Sequence, residues 1–269
     1  MKKIHLSLLS FATIGFVNIA SAEDIPIAKT ENASTQFNTQ QVADIKKIMT
    51  EYLSQNPDVV MTAVQAGMAA KQKEEVAKIE KAVVENKDKI FKDKTIPLAG
   101  NLEGKESLVV FMDPYCGYCK KFHGEIDTIL SKNKDVKITF IDIPIMGPGS
   151  NIAVKAMLAA KAQGKYDQLQ KAIFTADKNL SKKQLLKIAN SLGIDTKQLE
   201  TDMKSKAIEA QVNRNAELAR TLGINGTPTL IIGESKVIPG FVSAEEVSKS
   251  LKESITPASE TKAVAEKPS

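Results

Sequence analysis

Residues 107–123 read Ser-Leu-Val-Val-Phe-Met-Asp-Pro-Tyr-Cys-Gly-Tyr-Cys-Lys-Lys-Phe-His. Ser107–Met112 is a short apolar run of strand character, and Asp113-Pro114 ends it. Phe122, Ile126, Ile129 and Leu130 then recur on one face, which predicts a helix over residues 118–130. Cys116 and Cys119, the chain's two cysteines, fall at this strand-to-helix junction. Thiols three positions apart on a first helical turn can close a small ring. The unpaired N–H groups of that turn offer hydrogen bonds to a sulfur anion at the first position. Cys116 is therefore the expected nucleophile and Cys119 the resolving thiol of thiol-disulfide exchange. An inert structural disulfide is a poor reading, because so small a ring removes little loop entropy. Metal ligation is a poor reading too. Cys116, Cys119 and His123 supply at most three ligands, and a fourth would have to come from a partner subunit, so no metal or other cofactor is expected.

Working outward from this segment, Val136–Ile143 alternates as a second strand. Helical patterns follow over 150–163, 166–175, 181–192 and 195–222, the last broken near Met203. Ser181 and Asp195 are placed to cap helices, and Gly193 and Gly223 to stop them. Thr229–Ile232 and Lys236–Ile238 read as paired strands around Gly233-Glu234, and a helix capped by Ser243 closes the pattern. The order strand, helix, strand, helical block, hairpin, helix describes an α/β layer with an all-helical insertion, about 147–222, in a single crossover. Gly226-Thr227-Pro228-Thr229 stands immediately before the final strand pair. By itself it reads as a turn at a strand start.

The N-terminal third is organised differently. Lys2 and Lys3, an apolar stretch from Leu6 to Ile19 and the small residues Ala20-Ser21-Ala22 read as a secretory signal peptide cleaved after Ala22. A membrane anchor would need about 20 apolar residues. Export places the chain where disulfides form, and the basic start followed by Ala-x-Ala suits a bacterial periplasm. Residues 23–38 read as a flexible lead-in. Residues 39–92 carry apolar side chains at helical spacing, first Val42, Ile45, Met49 and Tyr52, then Val60 and Val64, then Val76, Ile79, Val83 and Ile90. Asn56-Pro57 breaks the run. So long a stripe among so many charges predicts a self-association arm, a dimer first and a trimer second. The strands and the cysteine-bearing helix follow Thr95, so a chain lacking residues 23–91 is expected to fold as a monomer. Residues 256–269 have no apolar period and read as a disordered tail. Thirty-seven basic against 32 acidic residues, a net charge of +5, are interleaved rather than clustered, so no nucleic-acid partner is expected.

FMDPYCGYCKKFH (111–123), the helical insertion, GINGTPTLIIG (223–233) and VIPGFVSAEEV (237–247) together resemble the thioredoxin-fold proteins of the periplasmic DsbA family, over about 101–255. The helical arm and QNPDVVMTAVQA (55–66) resemble the oligomeric branch that includes ScsC and related DsbA-like isomerases. The active-site segment is more similar to that of the isomerase DsbC. The resemblance implies a thioredoxin fold and a cis Thr227-Pro228 bond facing the cysteines, where the backbone pairs with the client chain. It further implies Cys116 as the exposed nucleophile, with Tyr118 and His123 as possible modulators. Gly117-Tyr118 replaces the Pro-His of DsbA, which implies weaker oxidising power. The position six before Cys116, acidic in DsbA, is Val110 here, so the residues name no proton acceptor for Cys119. The expected function is isomerisation or introduction of disulfides in exported proteins, with a membrane protein as redox partner. Asp113 is expected to form the loop rather than act as a catalytic acid. The rival class is a non-enzymatic holdase chaperone, or a copper-binding protein using two soft thiolates.

Overall fold

A computed structural model describes residues 37–255. The signal peptide, nearly all of the lead-in and the C-terminal tail lie outside the described residues. Two compact units divide at Val64/Gln65. In the first, α1 (Thr39–Gln55) opens with a capping box in which the Asn38 side chain accepts from Gln41 N and the Gln41 side chain accepts from Asn38 N. Asn56 closes α1 by donating its side-chain amide to Tyr52 O at 2.7 Å, and Pro57 begins α2 (Pro57–Glu85). No residue of α1 is buried, and Ile48, Met49, Tyr52, Met61 and Met68 are each more than half exposed.

The second unit is built on a five-stranded mixed sheet of order β1-β3-β2-β4-β5. The central strands β2 (Glu106–Met112) and β3 (Val136–Asp142) run parallel, with Leu108 opposite Ile138 and Met112 opposite Asp142. Both are buried along nearly their whole length on both faces, as expected of strands covered by helices on either side. β4 (Thr229–Ile232) pairs antiparallel with β2, and β5 (Lys236–Pro239) with β4. The sequence does not predict β1 (Leu98–Gly100), which pairs antiparallel with β3. Three residues are too few to carry an alternation, and β3 recruits them.

The crossover from β3 to β4 holds α6 (Pro148–Ala160), α7 (Tyr166–Phe174), α8 (Lys182–Ser191), α9 (Thr196–Asp202) and α10 (Lys206–Leu222). Ser181, Asp195 and Ser205 each cap a helix through a side-chain oxygen. Val110, Met112, Ile138 and Phe140 face the core shared with α6 and α7. Val109, Phe111, Ile141 and Ile231 face the opposite layer with Leu218 and Leu222 of α10. Among the described residues no helix is long and apolar enough to cross a membrane.

Two expectations need correction. The helix predicted over 118–130 is two helices, α4 (Gly117–His123) and α5 (Ile126–Lys132). The break at Gly124-Glu125 lets the Glu125 carboxylate accept from Ala244 N at 3.0 Å, at the start of α11 (Ala244–Ile255), while Asn133 after α5 donates to Ser248 Oγ at 2.8 Å. The apolar stripe of the arm also does not continue to Ile90 as a free surface. Val83 at 0% and Ile90 of α3 (Lys87–Phe91) at 1% exposure lie in the same buried cluster as Phe111, Ile141 and Leu222. Val76 and Ile79 pack against that cluster. A helical period marks an apolar face and is silent on whether solvent, a partner or the chain's own sheet lies against it.

Candidate active site

β2 delivers the chain to Asp113, whose carboxylate organises everything that follows. Asp113 is fully buried. Its Oδ1 accepts from Tyr115 N at 2.7 Å, and its Oδ2 accepts from Met146 N at 2.9 Å and Ser150 Oγ at 2.6 Å. One side chain thus joins the turn before the cysteines, the loop after β3 and the start of α6. This agrees with the loop-forming role read from the sequence.

Cys116 N donates to Asp113 O at 3.2 Å, and Cys116 takes the extended backbone of the position before α4. Its thiol donates to Thr227 O at 3.2 Å. The Thr227-Pro228 bond is cis, as the resemblance implied, and delivers Thr227 to the cysteines just before β4. Cys119, within the first turn of α4, has no exposed surface, whereas Cys116 keeps 8%. Neither cysteine is in a disulfide. Burial pushes the Cys119 thiol far up; the Thr227 hydroxyl and the Asp113 N–H, 3.5 Å from its sulfur, pull it back only in part. That hydroxyl makes no hydrogen bond of normal geometry.

Tyr118, 67% exposed, projects into solvent beside the cysteines. Ile145 and Met146, on the loop that Asp113 holds, are likewise at least half exposed. His123 is half-buried. Its ring stacks on Phe174 with centroids 4.8 Å apart, and burial lowers its pKa to about 4. The imidazole is neutral at pH 7 and supplies no positive charge. Among the described residues no group of three or more His, Cys, Asp or Glu side chains is arranged to hold a metal ion.

Sequence reasoning missed Asp142. It ends β3 in phase with Val136, Ile138 and Phe140, on the face that carries the cysteines. Tyr166 OH donates to its Oδ2 at 2.6 Å, Gln170 donates to the Tyr166 oxygen at 2.8 Å, and Asn215 donates to its backbone oxygen at 2.9 Å. Its Oδ1 is buried without a partner, and burial raises its pKa to about 7, with the Asp113 charge adding to the rise. An acid in phase with three core residues was the available signal. Val110, at the position acidic in DsbA, is fully buried in the core.

Comparison with known proteins places these features in a family. The DSBA-like thioredoxin domain matches residues 107–252. A thioredoxin-like oxidoreductase from Silicibacter pomeroyi is 33% identical, with 62% of this chain and 96% of that one covered and a TM-score of 0.60. ScsC from Proteus mirabilis in a transitional conformation is 25% identical over 82% of this chain and 97% of its own, with a TM-score of 0.59. A periplasmic thioredoxin-like protein from Salmonella enterica serovar Typhimurium is 25% identical, covering 62% and 94%, with a TM-score of 0.53. Thiol:disulfide interchange protein DsbC of Dickeya dadantii is 21% identical over 92% of this chain and 94% of its own length. Na(+)/H(+) antiporter NhaA of Herminiimonas arsenicoxydans is 27% identical over 58% of this chain, which spans only 25% of that protein.

Proposed function

The chain belongs to the DSBA-like thioredoxin domain family, and from that premise we propose that it is a thiol-disulfide oxidoreductase acting on exported proteins, with isomerase capability. The observation that carries this reading is the Cys116 sulfur, at the start of α4 and 3.2 Å from Thr227 O, with Cys119 sealed behind it. Cys116 as thiolate attacks one sulfur of a client disulfide. The Cys116–client bond forms, the client S–S bond breaks, and the other client sulfur leaves as thiolate. In isomerisation a client thiolate then attacks the mixed disulfide and frees Cys116. Otherwise Cys119, giving up its proton, attacks Cys116, forms the internal disulfide and expels the client as a thiol. In the oxidising direction the internal disulfide is passed to the client and restored by a membrane redox partner. Thr227 and Pro228 form the edge along which the client backbone lies.

Export to the periplasm, with cleavage after Ala22, fits the N-terminal sequence and the periplasmic relative. Self-association through α1 and the first part of α2 accounts for apolar side chains that the chain leaves exposed there. An assembly with its catalytic faces around a shared space suits isomerisation. Refolding of a scrambled-disulfide protein by the wild type and by Cys116→Ser tests the enzymatic reading. The variant is expected to be inactive; equal rescue by both would identify a holdase instead. Light scattering of residues 23–269 tests self-association, and a monomeric mass at micromolar concentration would exclude it.

A further inference from the structure

The thiols follow the C-terminal end of β2. A cleft of about 750 Å³ opens at its other end, about 20 Å away along a strand of seven residues. Its size is within the range of about 300–1,000 Å³ common to ligand sites. One wall is the end of α2 with α3, and the other is the β4–β5 turn with the last turn of α11. Four lysines and two glutamates line it. Both glutamates are already paired, Glu234 with Lys87, and Glu253 with Lys236 at 3.3 Å. Lys105 and Lys137 make no hydrogen bond or ion pair among the described residues. Ser107 stands opposite Lys137 in the parallel register, so the two side chains share one face of the sheet. Ser107 lines the cleft, and its hydroxyl is buried without a hydrogen-bond partner. The neighbouring acids are turned elsewhere. Glu106 is in phase with Leu108 and Val110 on the opposite face, and Asp135 accepts from the Asn101 side chain at 3.1 Å. Two unpaired ammonium groups in one concave site concentrate a positive potential there. Apolar surface lies beside them: Val84 and Ile255 are each about half exposed, and Phe91 is half-buried.

We infer that this cleft binds a single-chain anionic amphiphile, with Lys105 and Lys137 holding a phosphate or carboxylate head and Val84, Phe91 and Ile255 covering the start of an alkyl tail. Both parts of the ligand are needed. An inorganic anion would leave the apolar side chains in water, and a neutral alkyl chain would leave the two charges without a counter-ion. A free fatty acid or alkyl phosphate presents this chemistry, and so does an anionic lipid in a bilayer. The site lies at the opposite end of β2 from the cysteines and is independent of the thiol-exchange reading.

The test titrates decyl phosphate, decanol and inorganic phosphate calorimetrically into residues 23–269 at low ionic strength, with decyl phosphate below its micelle concentration. Decyl phosphate is expected to bind at least about tenfold more tightly than either of the others. Lys105→Gln combined with Lys137→Gln is expected to weaken it about tenfold, the effect of two ion pairs at a partly exposed site. Val84→Gln combined with Ile255→Gln is expected to weaken it by a similar factor through lost apolar cover. Both variants are expected to keep the wild-type rate of Cys116 alkylation, which shows that they are folded. Flotation with vesicles separates the sources. Co-flotation with phosphatidylglycerol but not phosphatidylcholine, lost in the lysine variant, assigns a bilayer lipid; tight titration without co-flotation assigns a free amphiphile. No binding of decyl phosphate, binding equal to that of decanol, or an affinity unchanged in the lysine variant would overturn the site. So would binding at least about tenfold tighter to a chain ending at Ile255, which would identify residues 256–269 as the occupant.

Discussion

The Cys116 thiol donates to the Thr227 carbonyl oxygen across 3.2 Å, a bond between residues 111 positions apart. It joins the start of α4 to the loop before β4, two segments brought together because β2 and β4 are neighbours in the sheet. The proposed division of labour between the two sulfurs follows from their burial on either side of this contact.

Alkylation reads that division directly. Cys116 keeps some solvent-exposed surface, while Cys119 has none and its thiol is pushed far up by burial. Iodoacetamide near pH 8 is expected to modify Cys116 at least about tenfold faster than Cys119, since reactivity follows thiolate fraction and access. Peptide mapping of the modified chain measures it, and faster labelling of Cys119 would exchange their roles.

His123 is expected to have no electrostatic part in the chemistry. Its pKa is lowered to about 4 by burial beneath the contact with Phe174. His123→Phe, which keeps an aromatic stack, is therefore expected to leave the pH profile of Cys116 alkylation unchanged. Stability is another matter. The folded pKa lies below the ordinary histidine value of 6.5, so the unfolded chain binds the proton more readily. The wild type is expected to lose up to about 3 kcal/mol relative to His123→Phe as pH falls from above 6.5 to about 4. Paired urea melts across that window measure the difference.

Asp142 gives the opposite slope. Its folded pKa, about 7, lies above the ordinary aspartate value of 3.8, so the folded protein holds a proton that the unfolded chain releases. The stabilising state is the protonated one, and it is lost as pH rises from about 4 through 7. Asp142→Asn preserves an oxygen for Tyr166 OH and removes the charge. Its stability relative to wild type is expected to rise between pH 5 and pH 8 by a few kcal/mol, at most about 4. Denaturant melts at the two pH values decide it; a difference independent of pH would mean that Asp142 does not titrate in this range.

Truncation separates the two parts of the N-terminal helices. Val83 and Ile90 are buried in the sheet's second core, each contributing about 1.5–3 kcal/mol. Removing residues 23–91 forfeits both, a large share of the roughly 5–15 kcal/mol that holds a domain folded. The monomer expected from the sequence at that cut is therefore replaced by one cut at the boundary between the compact units. Residues 65–269 are expected to melt cooperatively and retain Cys116 alkylation, and residues 92–269 to melt earlier or not to fold. Equal melting of the two fragments would show that the helix contributes nothing to the core.

The sequence by itself determined the local and periodic features. Ser107–Met112 and Val136–Ile143 declare strands by composition and alternation, and α8 and α9 begin where Ser181 and Asp195 cap them. The two thiols are placed at the strand-to-helix junction by the apolar run before them and the helical spacing after them, both of them local signals. Tertiary structure decided what depends on which face meets which neighbour. It broke the helix at Gly124 so that Glu125 could reach α11, and it recruited the three residues of β1 to β3. It turned the stripe of Val76, Ile79 and Val83 inward onto the chain's own sheet, left His123 neutral against Phe174, and buried Asp142 in reach of the Asp113 charge. Periodicity records which side chains share a face; only the packed chain specifies what lies against that face, and those neighbours set charge, reach and reactivity.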